Sequence, residues 1–184
     1  MTTLRILPEP GYTPNIGRLV SMLGYVRRGM AAAVEGLTRD QLDHLHDAGS
    51  NTIGALLAHV AAVERWYQIF TFEGREPAGS EAAARAAALH LGDEARRVVK
   101  GRDLQSYLGE LAEVRQATLA ALGSRDDAWL EAPLVAAPDL NAHWAWFHVA
   151  EDEISHRGQI RWLRKRLPAV TPAPIGVVSR SRST

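Results

Sequence analysis

The sequence predicts an all-α protein built as a four-helix bundle. Alanine and leucine are abundant, convincing alternating strand patterns are absent, and four long segments repeat apolar residues at the helical period. Modest connections join these segments, as is typical of helices that pack side by side. We expect an extended lead-in over 1–12, the bundle over 13–168 and a C-terminal tail over 169–184.

The first two long helices have recognisable ends. Thr13-Pro14 predicts the start of helix 1, with threonine as the cap and proline in the first turn, and the apolar face continues to about Val34. Thr38 and Gln41 have the spacing of a capping box, which predicts a short helical turn. The second long helix is predicted from Asn51 or Thr52 to about Phe72, with Gly74 as its C-cap.

The second half of the chain contains the other two long helices. An alanine-rich helix is predicted from Ser80 to about Leu91, in a region with a weaker pattern. Asp103 is expected to cap a helix that ends near Leu122. Residues 124–138 form a connection, and the last long helix covers about 140–167.

Composition excludes several classes of function. The chain has 184 residues and no cysteine, which excludes disulfides, thiolate zinc sites and a cysteine nucleophile. Lys+Arg and Asp+Glu balance at 21 each, so no overall charge attracts nucleic acid or an anionic membrane. With no apolar segment of membrane-spanning length and no secretory signal, we expect a cytoplasmic protein.

Three polar residues recur every fourth position on the last helix. His148, Asp152 and His156 therefore project from one helical face, which also carries apolar residues. His59 lies on or beside the buried stripe of the second long helix. Two imidazoles and one carboxylate from His59, Asp152 and His156 suit Zn²⁺, Fe²⁺, Ni²⁺ or Mn²⁺. A lone histidine on an apolar face is more often an ordinary core residue, so spacing alone leaves both interpretations open.

Two segments resemble the DinB/YfiT-like superfamily. They are Ile53-Gly54-Ala55-Leu56-Leu57-Ala58-His59-Val60 and Glu151-Asp152-Glu153-Ile154-Ser155-His156-Arg157-Gly158-Gln159-Ile160. The resemblance covers about residues 13–167. It implies a four-helix bundle, with up-down-down-up connectivity in many members, a homodimer, and a divalent metal held by three histidines. Carried over, those ligands fall on His59, His156 and, in place of a histidine, Asp152.

The aspartate leaves three interpretations. Asp152 ligates the metal through oxygen, which we favour; or His148 reaches the metal instead; or the site has lost its metal. Glu151 and His148 are candidate catalytic bases. Either Glu151 or Glu153 is a candidate hydrogen-bond acceptor for the N–H of a metal ligand, although at least one of the two is expected on the solvated surface.

Other residues have weaker claims on function. Glu64 and Arg65 are expected in surface or interhelical pairs, and Arg157 in an interhelical hydrogen bond or an anion site. Four aromatic residues are candidates for a pocket lining, although core packing is more common: Trp66, Tyr67, Trp144 and Trp146. The remaining histidines are expected in loops or on the surface: His44, His46, His90 and His143.

The resemblance implies a metalloenzyme that acts on a small molecule. Some relatives are hydrolases, and others resemble S-transferases that use a low-molecular-weight thiol such as bacillithiol or mycothiol. The alternative is a non-catalytic bundle for small-molecule binding or dimerisation. A third and weaker interpretation, nucleic-acid binding, depends on the basic residues between Arg157 and Arg166 and on the Ser-Arg tail; a solvated helix end is the simpler explanation of that cluster.

Overall fold

A computed structural model describes residues 5–168 of the chain. The predicted tail over 169–184 and the first four residues of the predicted lead-in lie outside the described residues. The described residues are mostly helical, which confirms the all-α expectation. Within them, no helix is both long and apolar enough to cross a membrane.

Four long helices form the body of the structure. They are α1 (Pro14–Val34), α3 (Ile53–Gln68), α7 (Leu104–Leu122) and α9 (Ala142–Arg164). Helix α3 packs against both α7 and α9, and α1 packs against α9 and, less extensively, α7. The metal-ligand candidates therefore lie on two helices that are in direct contact.

Side-chain caps fix the starts of the later long helices. The side chains of Thr52, Asp103 and Asn141 each accept a hydrogen bond from a backbone N–H in the first turn of α3, α7 and α9. At α1 the prediction of the boundary is confirmed, but Thr13 makes no such bond. The carboxylate of Asp127 instead accepts bonds from the backbone N–H groups of Asn15 and Ile16, so a distant residue performs the capping.

Short elements connect the long helices. The predicted capping box of Thr38 and Gln41 is present and begins α2. A π-helical turn extends α3 and ends at Gly74, which has a left-handed backbone with φ 67° as a C-cap requires. The short elements are α2 (Arg39–Leu42), the π-turn (Ile69–Glu73), α4 (Gly79–Ala83), α5 (Ala86–His90), α6 (Gly92–Val98), α8 (Asp127–Glu131), β1 (Pro133–Leu134) and β2 (Ala137–Asn141).

The prediction of one alanine-rich helix up to Leu91 was wrong. The segment divides into α4 and α5, and the chain turns at Leu91, whose φ of 56° lies in the left-handed region. Small alanine side chains provide little apolar area to stabilise one continuous exposed helix. The division lets α5 pack against α3, close to His59.

The connection after α7 contains a small hairpin that the sequence did not indicate. Strands β1 and β2 are antiparallel, with Pro133 opposite Asn141 and Leu134 opposite Ala137. Two paired positions are too few to produce an alternating pattern, and prolines at 133 and 138 are unusual in strands. The hairpin leads directly into the Asn141 cap of α9.

Four charged side chains meet inside the protein, one from each long helix. Arg27 of α1 and Arg115 of α7 pair with Glu64 of α3 and Glu153 of α9. Both glutamates have no exposed surface, and the four charges sum to zero. Arg115 also donates to the carbonyl of Leu23 at 2.7 Å. This buried quartet satisfies its charges internally, as burial of ions requires.

Glu64 and Glu153 are buried in interhelical ion pairs, whereas Glu151 is exposed. Glu64 was expected in a surface or interhelical pair, and the pair is interhelical and fully buried. Glu153 contacts arginines in the quartet, whereas Glu151 is exposed on the other side of α9. Burial raises the pKa of Glu64, but the charges of Arg115 and Arg27 outweigh it and hold the pKa below its ordinary value.

Candidate metal centre

The structure brings the three ligand candidates together at the contact between α3 and α9. Oδ1 of Asp152 lies 3.3 Å from Nε2 of His156 and 3.6 Å from Nε2 of His59. One ligand atom from each residue lies within 4.8 Å of the other two. Among residues 5–168 this is the one group of three such side chains with that spacing.

The local sequence explains why these groups converge. Asp152 and His156 are four residues apart on α9, so they occupy one face of the helix, one turn apart. His59 lies on the strongly buried α3 and is itself 9% exposed. The side chains of Asp152 and His156 are 16% and 12% exposed, so the centre is enclosed but remains in contact with solvent.

Both imidazoles are held at their Nδ1 atoms. Nδ1 of His59 lies 3.0 Å from the carbonyl oxygen of Ala88 on α5. Nδ1 of His156 lies 3.3 Å from Oε1 of Gln159, three residues further along α9. A carbonyl oxygen only accepts, so Nδ1 of His59 carries the proton, and Gln159 favours the same tautomer at His156. The two Nε2 atoms are then directed toward Asp152 as electron-pair donors.

Asp152 and the imidazoles of His59 and His156 influence one another electrostatically. Burial raises the pKa of Asp152, but hydrogen bonds and charge from His156 and His59 outweigh burial and hold it far below the ordinary value. Burial lowers the pKa of His59, and the hydrogen bond and charge of Asp152 reverse that effect and raise it. A carboxylate opposite two Nε2 lone pairs is stable only if a proton or a metal lies between them.

The spacing of the donors fits a divalent metal. Two ligand atoms, each about 2.1 Å from a tetrahedral ion, lie about 3.4 Å apart, close to the two observed separations. Histidines that bind a metal through Nε2 usually donate their other N–H to an oxygen acceptor, as both do here. The donor set of two nitrogens and one carboxylate oxygen leaves coordination positions for a substrate.

Comparison with known proteins gives the family. Residues 18–169 match the profile of a family described as mycothiol-S-transferase. The chain belongs to the mycothiol S-transferase family. The match covers most of the chain and confirms the resemblance to DinB/YfiT-like proteins. A search of the curated proteins finds no match.

His148 and Glu151 lie outside the group of three: His148 is half-buried on the face of α9 that carries Asp152, and Glu151 is exposed. Nδ1 of His148 lies 3.2 Å from Oε2 of Glu151, so the two candidate bases form a pair. The ring of His148 stacks on Trp144 with centroids 5.2 Å apart and meets Tyr67 at 5.8 Å. His148, one turn before Asp152, is thus held by Glu151, Trp144 and Tyr67. It does not take the place of Asp152 in the group with His59 and His156.

The four aromatic candidates have different environments. Trp146 is fully buried in the core, as its helical spacing suggested. Trp144 is 44% exposed and covers His148. Tyr67 lies near Asp152, and its pKa is raised by burial and by the negative charge of Asp152. Trp66 lines the α3–α5 cavity described below, and Trp144 lines an open pocket beside Pro138 and Asn141.

A cavity of about 280 Å³ separates α3 from the α4–α5 segment. We call it the α5 cavity, and its lining is largely apolar, with Ala62, Trp66, Ile69, Ala86 and Leu89. Ala62 is one turn beyond His59 on α3, and Leu89 follows the residue whose carbonyl holds His59. The α5 cavity therefore adjoins the metal-facing histidine.

Three basic residues near the end of α9 contact the protein itself. Arg164 donates to the carbonyls of Ala33 and Glu35 at the end of α1. Arg166 lies over the Trp162 ring, 3.7 Å from its centroid. The guanidinium of Arg157 packs against Gly29 of α1, where no Cβ occupies the space, and its hydrogen bond or anion site stays a prediction.

Histidines assigned to loops or the surface are outside the centre. His46 meets the ring of Trp162 at 5.1 Å, and His143 lies 3.5 Å from Glu131. His90 is exposed and lines the α5 cavity, and His44 lies in the segment after α2. None of these four joins the group formed by His59, Asp152 and His156.

Sequence reasoning missed the two groups that orient the imidazoles. Gln159 follows His156 by three residues, and that i, i+3 spacing was an available signal. The carbonyl of Ala88 had no signal, because a backbone atom on a separate short helix leaves no pattern in side chains. The buried quartet was also missed as a unit, although Glu64 falls on the apolar stripe of α3 four residues after Val60.

Proposed function

We propose that this chain is a metal-dependent S-transferase that joins a low-molecular-weight thiol, mycothiol or a close relative, to an electrophilic small molecule. The observation that carries the proposal is the convergence of Nε2 of His59, Oδ1 of Asp152 and Nε2 of His156 with both Nδ1 atoms held by oxygen acceptors. The description of the family supports the thiol chemistry.

His59, Asp152 and His156 would hold the metal. A divalent ion in that position supplies Lewis acidity, which lowers the pKa of a thiol and makes the thiolate available at neutral pH. Ala88 and Gln159 orient the two imidazoles. Because the chain has no cysteine, the reacting sulfur must come from the substrate. In the transfer, that sulfur forms the new bond to carbon, and the leaving group departs with the electron pair of the broken bond.

The His148–Glu151 pair is our proposed proton acceptor. With its Nδ1 hydrogen-bonded to Glu151, His148 keeps Nε2 as a lone-pair donor on the solvent side of the centre. It lies one turn from Asp152 on the same helix face. In this role, His148 takes the proton that the thiol loses, and Glu151 stabilises the resulting imidazolium.

The α5 cavity is the proposed site of the electrophile. Its apolar lining suits a small organic molecule, and Arg65 and Arg85 at its edge provide cations for a polar substituent. The cavity also adjoins the turn of α3 that follows His59, so an electrophile bound there lies beside the centre.

Two other functions compete with this proposal. A hydrolase would use the same ligands with water as the nucleophile. A non-catalytic binding or dimerisation module would need no metal. The family match favours the thiol reaction over both.

The decisive experiment measures the metal and the reaction together. We expect purified protein loaded separately with Zn²⁺, Ni²⁺, Fe²⁺ or Mn²⁺ to retain one equivalent of at least one metal and to consume mycothiol with a monochlorobimane acceptor. His156→Ala should lose both properties. His143→Ala, a histidine replaced on the same helix outside the centre, should keep both.

Each failure has a distinct meaning. Metal retention without thiol consumption, but with ester hydrolysis, would favour the hydrolase. Wild-type protein that retains no metal would contradict the enzymatic proposal and leave the non-catalytic module. The bundle connectivity, the homodimer and the cytoplasmic location remain predictions from the resemblance and the composition.

A further inference from the structure

A second cleft lies on the opposite side of the centre from the Tyr67–His148 contact. It has a volume of about 520 Å³ and lies between the loop before α3 and the second half of α9. We call it the α9 cleft, and its principal lining residues are Ser50, Asn51, Leu56, Gly158, Gln159 and Trp162. It is distinct from the α5 cavity, with which it shares no lining residue.

The α9 cleft begins about one helical turn from the metal-facing residues. Leu56 precedes His59 by three residues on α3, and Gln159 follows His156 by three residues on α9. Three residues of helix correspond to about 4.5 Å along the axis. A molecule in the cleft therefore lies close enough to extend a short arm to the centre.

Gln159 connects the cleft to the centre directly. Its Oε1 is the acceptor for Nδ1 of His156, and its amide NH₂ group retains donors for a ligand. A hydroxyl bound by this amide would contact the same side chain that orients a metal-facing imidazole.

The chemistry of the lining points to an uncharged, hydroxyl-rich ligand. Ser50, Asn51 and Gln159 offer neutral donors and acceptors, and among residues 5–168 no charged side chain lines the α9 cleft. Trp162 beside them is 46% exposed, with Arg166 over its ring. An exposed indole among amide and hydroxyl groups suits a sugar-like ring, whose C–H faces pack on the aromatic surface while its hydroxyls form hydrogen bonds.

Gly158 leaves the α9 wall of the cleft open. A Cβ at this position would meet no atom of the described residues within 4 Å. Glycine inside a helix is destabilising relative to alanine. A larger side chain at 158 would therefore favour the helix while it reduces the space in the cleft.

We propose that the α9 cleft binds the hydroxyl-rich, uncharged body of the thiol, with its ring against Trp162 and a hydroxyl on the amide of Gln159. This inference rests on the proposed function and assigns its two substrates to separate places. The thiol body occupies the α9 cleft, and the electrophile occupies the apolar α5 cavity.

The test compares two glycines. Gly158 and Gly109 both lie inside long helices, are exposed, and have no atom within 4 Å of a built Cβ, but only Gly158 lines the cleft. The probe is the sugar body of mycothiol with an acetyl group in place of the cysteine, so that its nitrogen stays an uncharged amide, and its binding to the full chain is measured by isothermal titration. We expect Gly158→Leu to weaken binding by about tenfold or more, and Gly109→Leu to leave it unchanged.

Two further measurements separate a blocked cleft from a damaged fold. Gly158→Leu should keep the wild-type metal content and should match or exceed the wild-type melting temperature. In the transfer reaction it should raise KM for mycothiol and leave KM for the electrophile unchanged. Trp162→Ala should also weaken binding of the sugar body, whereas Phe147→Ala, an exposed aromatic on the same helix away from the cleft, should not.

The outcomes distinguish this inference from the proposed function. Equal binding by wild type and Gly158→Leu, equal loss in both glycine variants, or no binding by wild type at millimolar probe would each overturn the assignment of the cleft. Because the probe has no sulfur and the titration needs no turnover, its result stands apart from a failure of metal retention or thiol transfer.

Discussion

Oδ1 of Asp152 and Nε2 of His156, one turn apart on α9, lie 3.3 Å from each other. This pair supplies the carboxylate that replaces the third histidine implied by the resemblance. We expect Asp152→Asn, which keeps the shape but removes the charge, to weaken divalent-metal binding about tenfold or more. At saturating metal, a tenfold weaker Kd removes about 1.4 kcal/mol of metal-induced stabilisation.

Asp152→His gives the matching test in the opposite direction. A third imidazole should shift metal preference from Mn²⁺ toward Zn²⁺ and Ni²⁺, because nitrogen donors suit the latter ions better. Thermal-shift series across the four metals measure both variants. Identical metal-induced shifts in wild type and Asp152→Asn would show that the carboxylate is not a ligand.

Replacing His148 tests the proposed proton acceptor. We expect His148→Gln to lower kcat of thiol transfer by about 10²–10⁴-fold, the usual contribution of a general base, and to leave metal content unchanged. Glu151→Gln should have a smaller effect, because it removes only the partner of His148. His143→Gln provides the control, and an unchanged kcat in His148→Gln would contradict the role.

Removing one arginine from the buried quartet should strongly destabilise the fold. Arg115 contacts both Glu64 and Glu153, so Arg115→Met leaves buried carboxylates with too few counter-charges. The expected loss is about 3–5 kcal/mol in the free energy of unfolding, measured by urea denaturation. Arg97→Met, at an exposed pair with Glu94, should cost much less, because solvent screens that pair. Comparable losses in the two variants would refute the importance of the quartet.

Glu64 should make the protein sensitive to acid. Its pKa in the folded state lies below the ordinary value of 4.5, so falling pH protonates the unfolded chain first and favours unfolding. The stabilisation is complete above pH 4.5 and is lost as pH falls through the folded-state pKa. Glu64→Gln should flatten this decline, measured by urea unfolding at a series of pH values, whereas Glu113→Gln on the exposed face of α7 should not.

Tyr107 should produce the opposite dependence at high pH. Burial raises its pKa to about 12 from the ordinary 10.0, so the unfolded chain loses the proton first as pH rises. Its contribution to stability is complete below pH 10 and is lost between pH 10 and 12. Tyr107→Phe should abolish that loss, whereas Tyr25→Phe, at an exposed ring, should retain it.

Tyr107→Phe should also be tolerated at neutral pH. The Tyr107 hydroxyl is buried and has no hydrogen-bond partner in the described part of the chain. Removing an unsatisfied buried hydroxyl should raise the free energy of unfolding by about 1 kcal/mol or leave it unchanged. A clear loss of stability at pH 7 would mean that this hydroxyl has a favourable partner.

The features predicted correctly are those encoded by neighbours in sequence. The start of α7 depends on residues within one turn, and so does the capping box at Thr38. At α1 the local Thr13-Pro14 signal located the boundary, although the capping itself comes from Asp127. The shared face of Asp152 and His156 likewise follows from helical geometry alone. Local spacing and the resemblance together selected His59 as the third member of the group.

The features that were missed depend on distant partners. Nothing near Pro14 indicates that Asp127 would cap α1, and nothing near His59 indicates the carbonyl of Ala88. The arginines that pair with Glu64 could not be predicted either. The sequence contains 21 lysine and arginine residues, and tertiary packing decides which of them contact Glu64. The hairpin over 133–141 was missed because its pairing is too short to form a pattern.

The buried quartet has a consequence for how the chain reaches its native arrangement. Each of the four long helices contributes one charge at one level, and the two signs neutralise each other only when all four are aligned. A helix displaced by a single turn would carry its charge about 5.4 Å along the axis into apolar surroundings. The quartet therefore disfavours arrangements in which one long helix is shifted along its axis relative to the other three. It favours the single alignment of the four helices in which all four charges are paired.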